Sequence, residues 1–283
     1  MAGTLYLVGT PIGNLGDLSP RARETLEAVD FIAAEDTRVS LKLLNHFGIK
    51  KPLICYFEHN RAEMGEKLLS RLLAGESCAL VTDAGMPAIS DPGEDIVRQC
   101  AEHGIPVTAA PGPSALVTAL ALSGLPTQRF CFEGFLAVSG KHRREHLESL
   151  RAETRTIILY EAPHKLQRTL QDLLDTLGDR PLALCRELTK LHEEVLRTTL
   201  SGALEKYASE PPRGEYVLVL AGKPETAAPE LSEAEALALV RRYRAEGKSL
   251  REACRLASAD SGCGKNELYR LALEARDEPG EAE

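Results

Sequence analysis

The sequence predicts an α/β protein with two α/β domains, the first sheet mostly parallel and the second mixed, followed by a short C-terminal helical domain. Apolar runs of β type alternate with amphipathic segments up to residue 124, and a second set of such runs follows. A proline-containing stretch then separates the helical end. The predicted parts are residues 1–124 and 125–222 for the two α/β domains, 223–232 for a linker, 233–276 for the helical domain and 277–283 for an acidic terminus.

The first predicted domain contains five strand-like runs with helical segments between them. Ser19-Pro20 is typical of a helix N-cap and first helical position, and Gly48, Gly75 and Gly104 stand where helices should end. Repeated β-α units of this spacing predict a mostly parallel, doubly wound sheet. Its strands are predicted at Leu5–Val8, Phe31–Ala34, Leu53–Tyr56, Cys78–Thr82 and Val107–Ala109.

The second predicted domain begins at a hinge, Gly124-Leu125-Pro126, and contains five further strand-like runs. The third and fourth runs are too close in the chain for a crossover helix, which favours antiparallel pairing. The second sheet is therefore predicted to be mixed. Its strands are predicted at Phe130–Glu133, Ile157–Tyr160, Leu182–Cys185, Val195–Leu200 and Tyr216–Leu220.

The C-terminal segment is basic although the chain as a whole is acidic. Residues 241–270 contain eight Lys or Arg and four Asp or Glu, whereas the whole chain has a formal net charge of −8. Residues 247–253 and 264–269 are typical of two helix starts joined by a short turn, a helix-turn-helix arrangement that suits RNA. The alternative is a small helical bundle that packs or supports a dimer and exposes a basic face. The candidate RNA contacts here are Arg241, Arg242, Arg244 and Lys265.

Composition and charge argue against several classes of protein. Hydrophobic residues make up 43% and charged residues 27%, as in ordinary globular chains, and the acidic balance disfavours a surface that binds nucleic acid or anionic lipid everywhere. Seven scattered cysteines without a C-x-x-C pair indicate neither a disulfide framework nor a zinc knuckle, which suits a reducing cytoplasm. We expect no signal peptide and no membrane span, because glycine and proline interrupt the long uncharged stretch at residues 107–128.

The loops that follow the first-domain strands are rich in glycine and proline. Ligands of open α/β sheets bind outside the carboxyl ends of the strands, so these loops predict a preformed cleft for a small molecule. The alternative for any single loop is a tight turn without a ligand. The glycine spacing matches neither a dinucleotide fingerprint nor a nucleoside-triphosphate loop, and no G-x-S-x-G nucleophile elbow is present. The loops are residues 9–17, 35–38, 83–93 and 111–115.

One motif imitates a metal site. His142, Glu145 and His146 match H-x-x-E-H, in which two imidazoles one helical turn apart can hold zinc. Arg143 and Arg144 surround the motif with positive charge, so we expect no metal and interpret this segment as a basic surface that contacts RNA.

The loops and several second-domain segments together resemble the ribosomal RNA small subunit methyltransferase I group of the tetrapyrrole methylase superfamily. The resemblance covers about residues 4–221 and departs from the usual pattern at Ala137 and Thr198. It rests on GTPIGNL at residues 9–15, EDTR at 35–38, DAGMP at 83–87, ISDPG at 89–93, PGPSA at 111–115, FEGF at 132–135, YEAPH at 160–164, RELTK at 186–190 and GEY at 214–216.

The resemblance implies two α/β domains of tetrapyrrole methylase type that bind S-adenosylmethionine between them, usually as a homodimer. It also implies methylation of a ribose 2′-hydroxyl on a cytidine in the decoding region of small-subunit ribosomal RNA. The residues expected to contact the donor are Pro11, Asp83, Ala84, Gly85, Met86, Ile89, Ser114, Ala115, Ala162 and Pro163.

Two pairs of side chains, each a carboxylate with a cation, are candidates to act on the hydroxyl that accepts the methyl group. Asp36 with Arg38, or Glu187 with Lys190, would accept the hydroxyl proton and hold a phosphate. The alternatives are a helix cap for Asp36 and a surface ion pair for Glu187, and the sequence does not rank the two carboxylates. His164 is interpreted as a capping or stacking residue.

Two other functions share these features. A tetrapyrrole or other small-acceptor methyltransferase would have the same donor cleft without a basic tail. A nucleic-acid-binding regulator without enzymatic activity would use the tail and keep the cleft as a sensor.

Overall fold

The computed structural model describes residues 2–224 and 231–277. The chain divides into two compact units, Met1–Lys223 and Pro224–Glu283. The sequence boundary at residue 124 therefore separates two sheets that belong to one compact unit. Most of the predicted linker and the end of the acidic terminus lie outside the described residues.

The first sheet is parallel throughout, in the strand order β3-β2-β4-β1-β5. Strands β2 and β4 are buried along their whole length, because helices cover both faces of a doubly wound sheet. The elements are β1 Leu5–Val8, α1 Pro20–Ala28, β2 Phe31–Ala34, α2 Thr37–His46, β3 Leu53–Cys55, α3 Arg61–Leu73, β4 Cys78–Val81, α4 Gly93–Glu102, β5 Val107–Ala110 and α5 Ala115–Ser123.

The local signals in this half act as the sequence predicts. The Ser19 hydroxyl accepts a hydrogen bond from the Ala22 amide, and Pro20 occupies the first turn of α1. Gly48 follows α2 with a φ of +70°, a conformation that only glycine adopts without cost. The helix stops and strand starts in this sheet are therefore set locally.

The second sheet is mixed, in the order β6-β7-β10-β8-β9. Strands β6, β7 and β8 run in the same direction, while β10 is antiparallel to β7 and β8, and β9 is antiparallel to β8. The starts of β9 and β10 therefore lie at the same sheet edge as the ends of β6, β7 and β8. The elements are β6 Phe130–Phe135, α6 Gly140–Ser149, β7 Thr156–Glu161, α7 Pro163–Leu177, β8 Pro181–Arg186, β9 Glu194–Thr199, α8 Leu200–Ser209 and β10 Tyr216–Leu220.

Observed and predicted strands agree within two residues at each end. The largest difference is at β6, which continues to Phe135, and Leu200 begins α8 because Thr199 caps that helix by accepting the Gly202 amide hydrogen bond. A cap of this kind ends the extended backbone of β9.

Helix α5 follows β5 of the first sheet in the chain but packs against the second sheet. Ala119 and Leu120 on α5 pack with Ile158, Cys185 and Val219 of the second sheet. Two hydrogen bonds attach the predicted hinge region to the second sheet. The Thr156 hydroxyl donates to the carbonyl of Pro126 at 2.6 Å, and Arg197 donates to the carbonyl of Leu122 at 2.5 Å. These contacts therefore hold α5 and the segment after it against the second sheet.

The C-terminal unit contains three helices, α9 Glu233–Ala245, α10 Leu250–Ser261 and α11 Lys265–Asp277. Ser232 and Glu235 form a capping box at the start of α9, and Ser249 caps α10. Small residues of α9 and α10 pack around Leu268, and Arg241, Arg242 and Arg244 are exposed. Among the described residues, no helix has the length and apolar composition needed to cross a membrane.

Candidate functional site

A cavity of about 470 Å³ lies where the loops of the first sheet meet the edge of the second. This volume is within the range of small-molecule sites, roughly 300–1,000 Å³. Residues from both halves line it, which agrees with the cleft expected at the carboxyl ends of the strands.

Three first-half loops meet at the cavity wall. Thr10 and Gly85 exchange backbone hydrogen bonds of 2.9 and 3.1 Å, which joins the loop after β1 to the loop after β4. A Cβ atom on Gly9 would lie only 2.7 Å from backbone atoms of Gly112, so the loops after β1 and β5 touch through glycine backbone. The three loops therefore form one continuous wall.

The loop at residues 83–93 contains two left-handed residues held by one carboxylate. Ala88 and Ser90 have φ angles of +67° and +61°. Asp91 accepts backbone hydrogen bonds from Ala88 at 3.0 Å, Ile89 at 3.2 Å and Gly93 at 2.7 Å. Burial raises the pKa of Asp91, although the three N–H donors oppose this. This carboxylate acts as a clamp on the loop.

The second wall contains another strained loop, at residues 186–190. Glu187 and Thr189 have φ angles of +50° and +66°. Oε1 of Glu187 accepts from Lys190 Nζ and from the Glu215 amide, both at 2.9 Å, and Lys190 Nζ also donates to Glu215 at 2.7 Å. Strain in a short loop is maintained where surrounding contacts fix it, often at functional sites.

The charges on this pair reinforce one another. Burial alone would raise the pKa of Glu187, but hydrogen bonds from the Glu215 amide and Lys190 lower it below its ordinary value. Burial alone would lower the pKa of Lys190, but the carboxylates of Glu215 and Glu187 raise it. At neutral pH the cavity therefore contains an ionised Glu187 beside a protonated Lys190.

A buried acid supports the start of α7 at the same edge. Glu161 is 4% exposed, and its carboxylate accepts from the Ala162 amide at 2.8 Å and from the Thr169 hydroxyl at 2.6 Å. These bonds fix the turn that brings Ala162 and Pro163 to the cavity wall.

Similarity to known proteins identifies the family. The family of tetrapyrrole (corrin/porphyrin) methylases matches residues 4–204. A Synechocystis protein named ribosomal RNA small subunit methyltransferase I is 49% identical over 273 residues, 96% of this chain and 98% of the relative. The chain belongs to this methyltransferase I family.

Relatives of the same name occur in other bacteria. The Pseudomonas aeruginosa protein is 46% identical over 276 residues, which cover 96% of this chain and 98% of the relative. The Thermotoga maritima protein is 48% identical over 221 residues, which cover 78% of this chain but 99% of the relative. About a fifth of this chain therefore has no counterpart in that family member.

Solved structures confirm the tetrapyrrole methylase fold. Uroporphyrin-III-C-methyltransferase from Thermus thermophilus matches with a TM-score of 0.55 at 22% identity, covering 78% of this chain and 94% of that one. Diphthine synthase matches with a TM-score of 0.61 at 16% identity, covering 77% of this chain and 90% of that one.

Most of the family site residues predicted from the sequence lie together on the cavity wall. Pro11, Asp83, Asp36 and Arg38 are not among the lining residues, although the Asp83 carboxylate accepts from the Asp36 amide at 3.1 Å. The predicted residues that line the cavity are Ala84, Gly85, Met86, Ile89, Ser114, Ala115, Ala162, Pro163, Glu187 and Lys190.

Asp36 caps α2. Its carboxylate accepts from the Arg38 amide at 2.8 Å and pairs with the Arg38 guanidinium, which lowers the pKa of Asp36 to about 2. The helix-cap alternative is thus realised, and the carboxylate is already engaged by the Arg38 amide and guanidinium.

Sequence reasoning missed several lining residues. Phe135 and Tyr160 end neighbouring strands, while Glu215 and Tyr216 stand at the start of β10. The rule of inspecting loops after strands misses β10, because an antiparallel strand brings its start to the edge where parallel strands end. His164 also lines the cavity, at the first turn of α7.

The interpretation of Arg143 as an RNA contact is wrong. Arg143 is 4% exposed, and its guanidinium donates to Asp172, the Thr169 hydroxyl and the carbonyl of Ala137. It therefore ties α6 to α7, while Arg144 next to it is exposed.

The H-x-x-E-H residues do not converge on one point. His146 Nε2 lies 3.0 Å from Glu133 Oε2, whereas His142 is exposed beside Glu145. Among the described residues, no group of three or more His, Cys, Asp or Glu side chains is arranged to hold a metal ion.

Proposed function

We propose that the chain is an S-adenosylmethionine-dependent methyltransferase that methylates a ribose 2′-hydroxyl of a decoding-region cytidine in small-subunit ribosomal RNA. The observation that carries the proposal is near full-length identity of 43–49% to proteins named ribosomal RNA small subunit methyltransferase I. The cleft and its charged pair supply the chemistry that such an activity needs.

The cavity fits the donor in size and character. Its walls combine apolar side chains with glycine-rich backbone, and an ionised acid lies at one side. A related solved structure, uroporphyrin-III C-methyltransferase from Thermus thermophilus, was determined in complex with S-adenyl homocysteine. In this chain the loop around Gly85 and the turn at Ala162 would hold the donor.

Donor binding is tested at Gly85. An arginine there would fill the cavity wall and force a side chain onto a backbone with a φ of +88°. Calorimetry should detect no S-adenosylmethionine binding by Gly85→Arg. Gly104→Arg is the matched control, because Gly104 also has a positive φ but no atom within 4 Å of an added Cβ. Normal donor affinity in the Gly85 variant would remove this loop from the site.

The bound donor supplies an electrophilic methyl group. The chain contributes position and a proton acceptor, since a ribose hydroxyl is a weak nucleophile until its proton is accepted. Both described hydrogen bonds to Glu187 go to Oε1, so Oε2 is the atom we assign to the hydroxyl. Lys190 holds the carboxylate in place and keeps it ionised.

The Glu187 and Lys190 pair competes with the Asp36 and Arg38 pair for this role. The position of Glu187 on the cavity wall and the cap made by Asp36 support the first pair. We expect Glu187→Gln to lower the methylation rate by about 10²- to 10⁴-fold with donor affinity nearly unchanged. Asp36→Asn should stay close to wild type. The reverse result would assign the proton acceptor to Asp36.

The substrate is tested in cells. Ribose methylation of small-subunit ribosomal RNA is mapped in cells with and without the gene. One decoding-region cytidine should lose its 2′-O-methyl group without the gene and regain it when the gene is restored. Unchanged methylation would overturn the proposed function.

The basic segment at residues 241–270 of the C-terminal unit is proposed to add affinity for the small ribosomal subunit. Arg241, Arg242 and Arg244 are exposed, and residues 241–270 contain eight Lys or Arg and four Asp or Glu, which supports contact with phosphates. The logarithm of the RNA-binding constant falls linearly with the logarithm of the salt concentration. Removing one side chain that binds a phosphate should reduce the magnitude of this slope by about 0.7 to 0.9. Arg144 and Lys265 are proposed to bind phosphates as well.

The test replaces Arg241, Arg242 and Arg244 by alanine in the full chain. Subunit binding is then measured across a salt series, with donor affinity as the control for folding. An unchanged slope would make the unit a packing or dimer-supporting bundle. A homodimer and a cytoplasmic location complete the proposal, and sedimentation of the purified chain checks the first.

A further inference from the structure

One wall of the cavity presents an aromatic ring to its interior. Phe135 lines the cavity and is 58% exposed. It ends β6, the strand at the edge of the second sheet.

A β-bulge gives Phe135 this position. Phe132 pairs with Ile158 and Phe135 pairs with Tyr160, so the partner strand advances by two residues while β6 advances by three. The bulge at Glu133 and Gly134 therefore keeps Phe132 and Phe135 on the same sheet face, where strict alternation would separate them. Bulges that redirect a side chain are common beside active sites.

The ring is supported from behind. Tyr160 makes edge-to-face contacts with Phe135, at 5.6 Å between ring centroids, and with Phe132, at 4.9 Å. The Tyr160 hydroxyl accepts a hydrogen bond from the Leu116 amide at 3.2 Å, which attaches the Tyr160 ring to α5. Phe135 thus offers an exposed aromatic ring on a supported wall.

A flat, exposed aromatic ring at the edge of a nucleotide-modifying site suits an unstacked nucleobase. Enzymes that act on a nucleotide often remove it from its stack and hold the base against aromatic side chains. We propose that Phe135, supported by Tyr160, is the platform on which the base of the acceptor nucleotide stacks, so that its ribose hydroxyl reaches Glu187. This inference rests on the proposed function.

The test compares Phe135→Ala with Phe130→Ala. Phe130 is the matched control, because it is 40% exposed at the other end of the same strand and does not line the cavity. Loss of one base stack lowers kcat/KM for small subunits lacking the methyl group by about 5- to 150-fold. Affinity for S-adenosylmethionine should stay unchanged in both variants.

Two further variants separate stacking from apolar contact. Phe135→Trp keeps a π-face and should retain most of the activity, whereas Phe135→Leu keeps an apolar side chain and should be nearly as poor as Phe135→Ala. Equal kcat/KM in wild type and Phe135→Ala would overturn the inference, and so would a loss of donor affinity or equal activity of the Trp and Leu variants.

Failure of the proposed function gives a different result. If the wild-type chain transfers no methyl group to small subunits, the acceptor assignment fails for every variant alike. If the wild type is active and all Phe135 variants have the same kcat/KM as the wild type, only the stacking role of Phe135 is wrong.

Discussion

The two loops that face each other across the cavity share an unusual backbone. Each contains two non-glycine residues of positive φ spaced two apart: Ala88 and Ser90 in one, Glu187 and Thr189 in the other. Within residues 2–224 and 231–277 these four are the non-glycine positions with this conformation. The strained backbone of the chain is therefore concentrated at the cavity.

The loops differ in where the stabilising carboxylate lies. Asp91 holds the first loop through three backbone amides and is not among the cavity-lining residues. Glu187 is itself part of the strained segment and lines the cavity. On the proposed function, strain in the first loop would shape a backbone surface for the donor, whereas strain in the second would aim the Glu187 carboxylate at the acceptor.

Among changes that test the backbone of the two loops, the largest effect is expected from Asp91→Ala. Three amides lose their acceptor while Ala88 and Ser90 keep a conformation that costs about 1–3 kcal/mol each. We expect donor affinity to fall by at least about tenfold and the free energy of unfolding by about 2 kcal/mol. Calorimetry with S-adenosylmethionine and denaturant unfolding measure the two quantities.

Glycine replacement makes this prediction specific to the loop backbone. Adding Ala88→Gly and Ser90→Gly to Asp91→Ala removes the steric cost of the left-handed conformation and should restore part of the donor affinity. No recovery in the triple variant would mean that Asp91 acts by some route other than holding the loop.

Gly214→Ala tests the second loop with a smaller expected effect. Gly214 has a φ of +79°, and an added Cβ would lie 2.5 Å from Cγ of Glu187. Displacing this carboxylate should lower kcat about tenfold while donor affinity stays the same. Gly48→Ala is the control, since Gly48 has a similar φ with no atom within 4 Å. Similar kcat values for the two variants would argue against an aimed charge.

The pH dependence of methylation should reflect the lowered pKa of Glu187. The ionised carboxylate is favoured in the folded chain, so activity is present above the ordinary carboxyl pKa and is lost as pH falls through the lowered value. In Lys190→Met one of the groups that lower this pKa is gone while burial remains, so the acid limb of kcat/KM should move to higher pH. Lys42→Met, at an exposed position on α2, should leave the limb in place.

The smallest effects are expected from relieving strain at single residues. Thr189→Gly removes a β-branched side chain from a left-handed backbone, together with a buried hydroxyl that has no hydrogen-bond partner among the described residues. The free energy of unfolding should rise by about 1 kcal/mol in Thr189→Gly and by about 0.5 kcal/mol in Ala88→Gly. Equal values would show that β-branching at Thr189 adds no strain.

The sequence predicts this fold where its signals are local. Ser19 caps α1, and short buried runs form β2 and β4, because caps and apolar patterning act within a few residues. The RNA-contact interpretation of Arg143 fails because the surroundings of this side chain are set by residues distant in the chain. Its burial depends on Asp172, 29 residues away on another helix, and a basic run contains no information about that partner.

One wall of the site is predictable from the sequence because its signals are local. Glycine-rich loops after parallel strands mark one wall, and Ala84, Gly85 and Met86 lie there. The role of Glu215 depends on β10 running antiparallel between β7 and β8, which only the sheet topology reveals. The position of Phe135 depends on a bulge whose register is set by pairing with β7.

The attached segment at residues 122–126 has a consequence for motion between the two halves. Thr156 and Arg197 anchor it to the second sheet, and α5 packs on that sheet as well. Separating α5 from the second sheet would expose the apolar cluster that they share. A rotation of one half against the other, which takes microseconds to milliseconds in enzymes that close on their ligands, would therefore have to move α5 together with the second sheet.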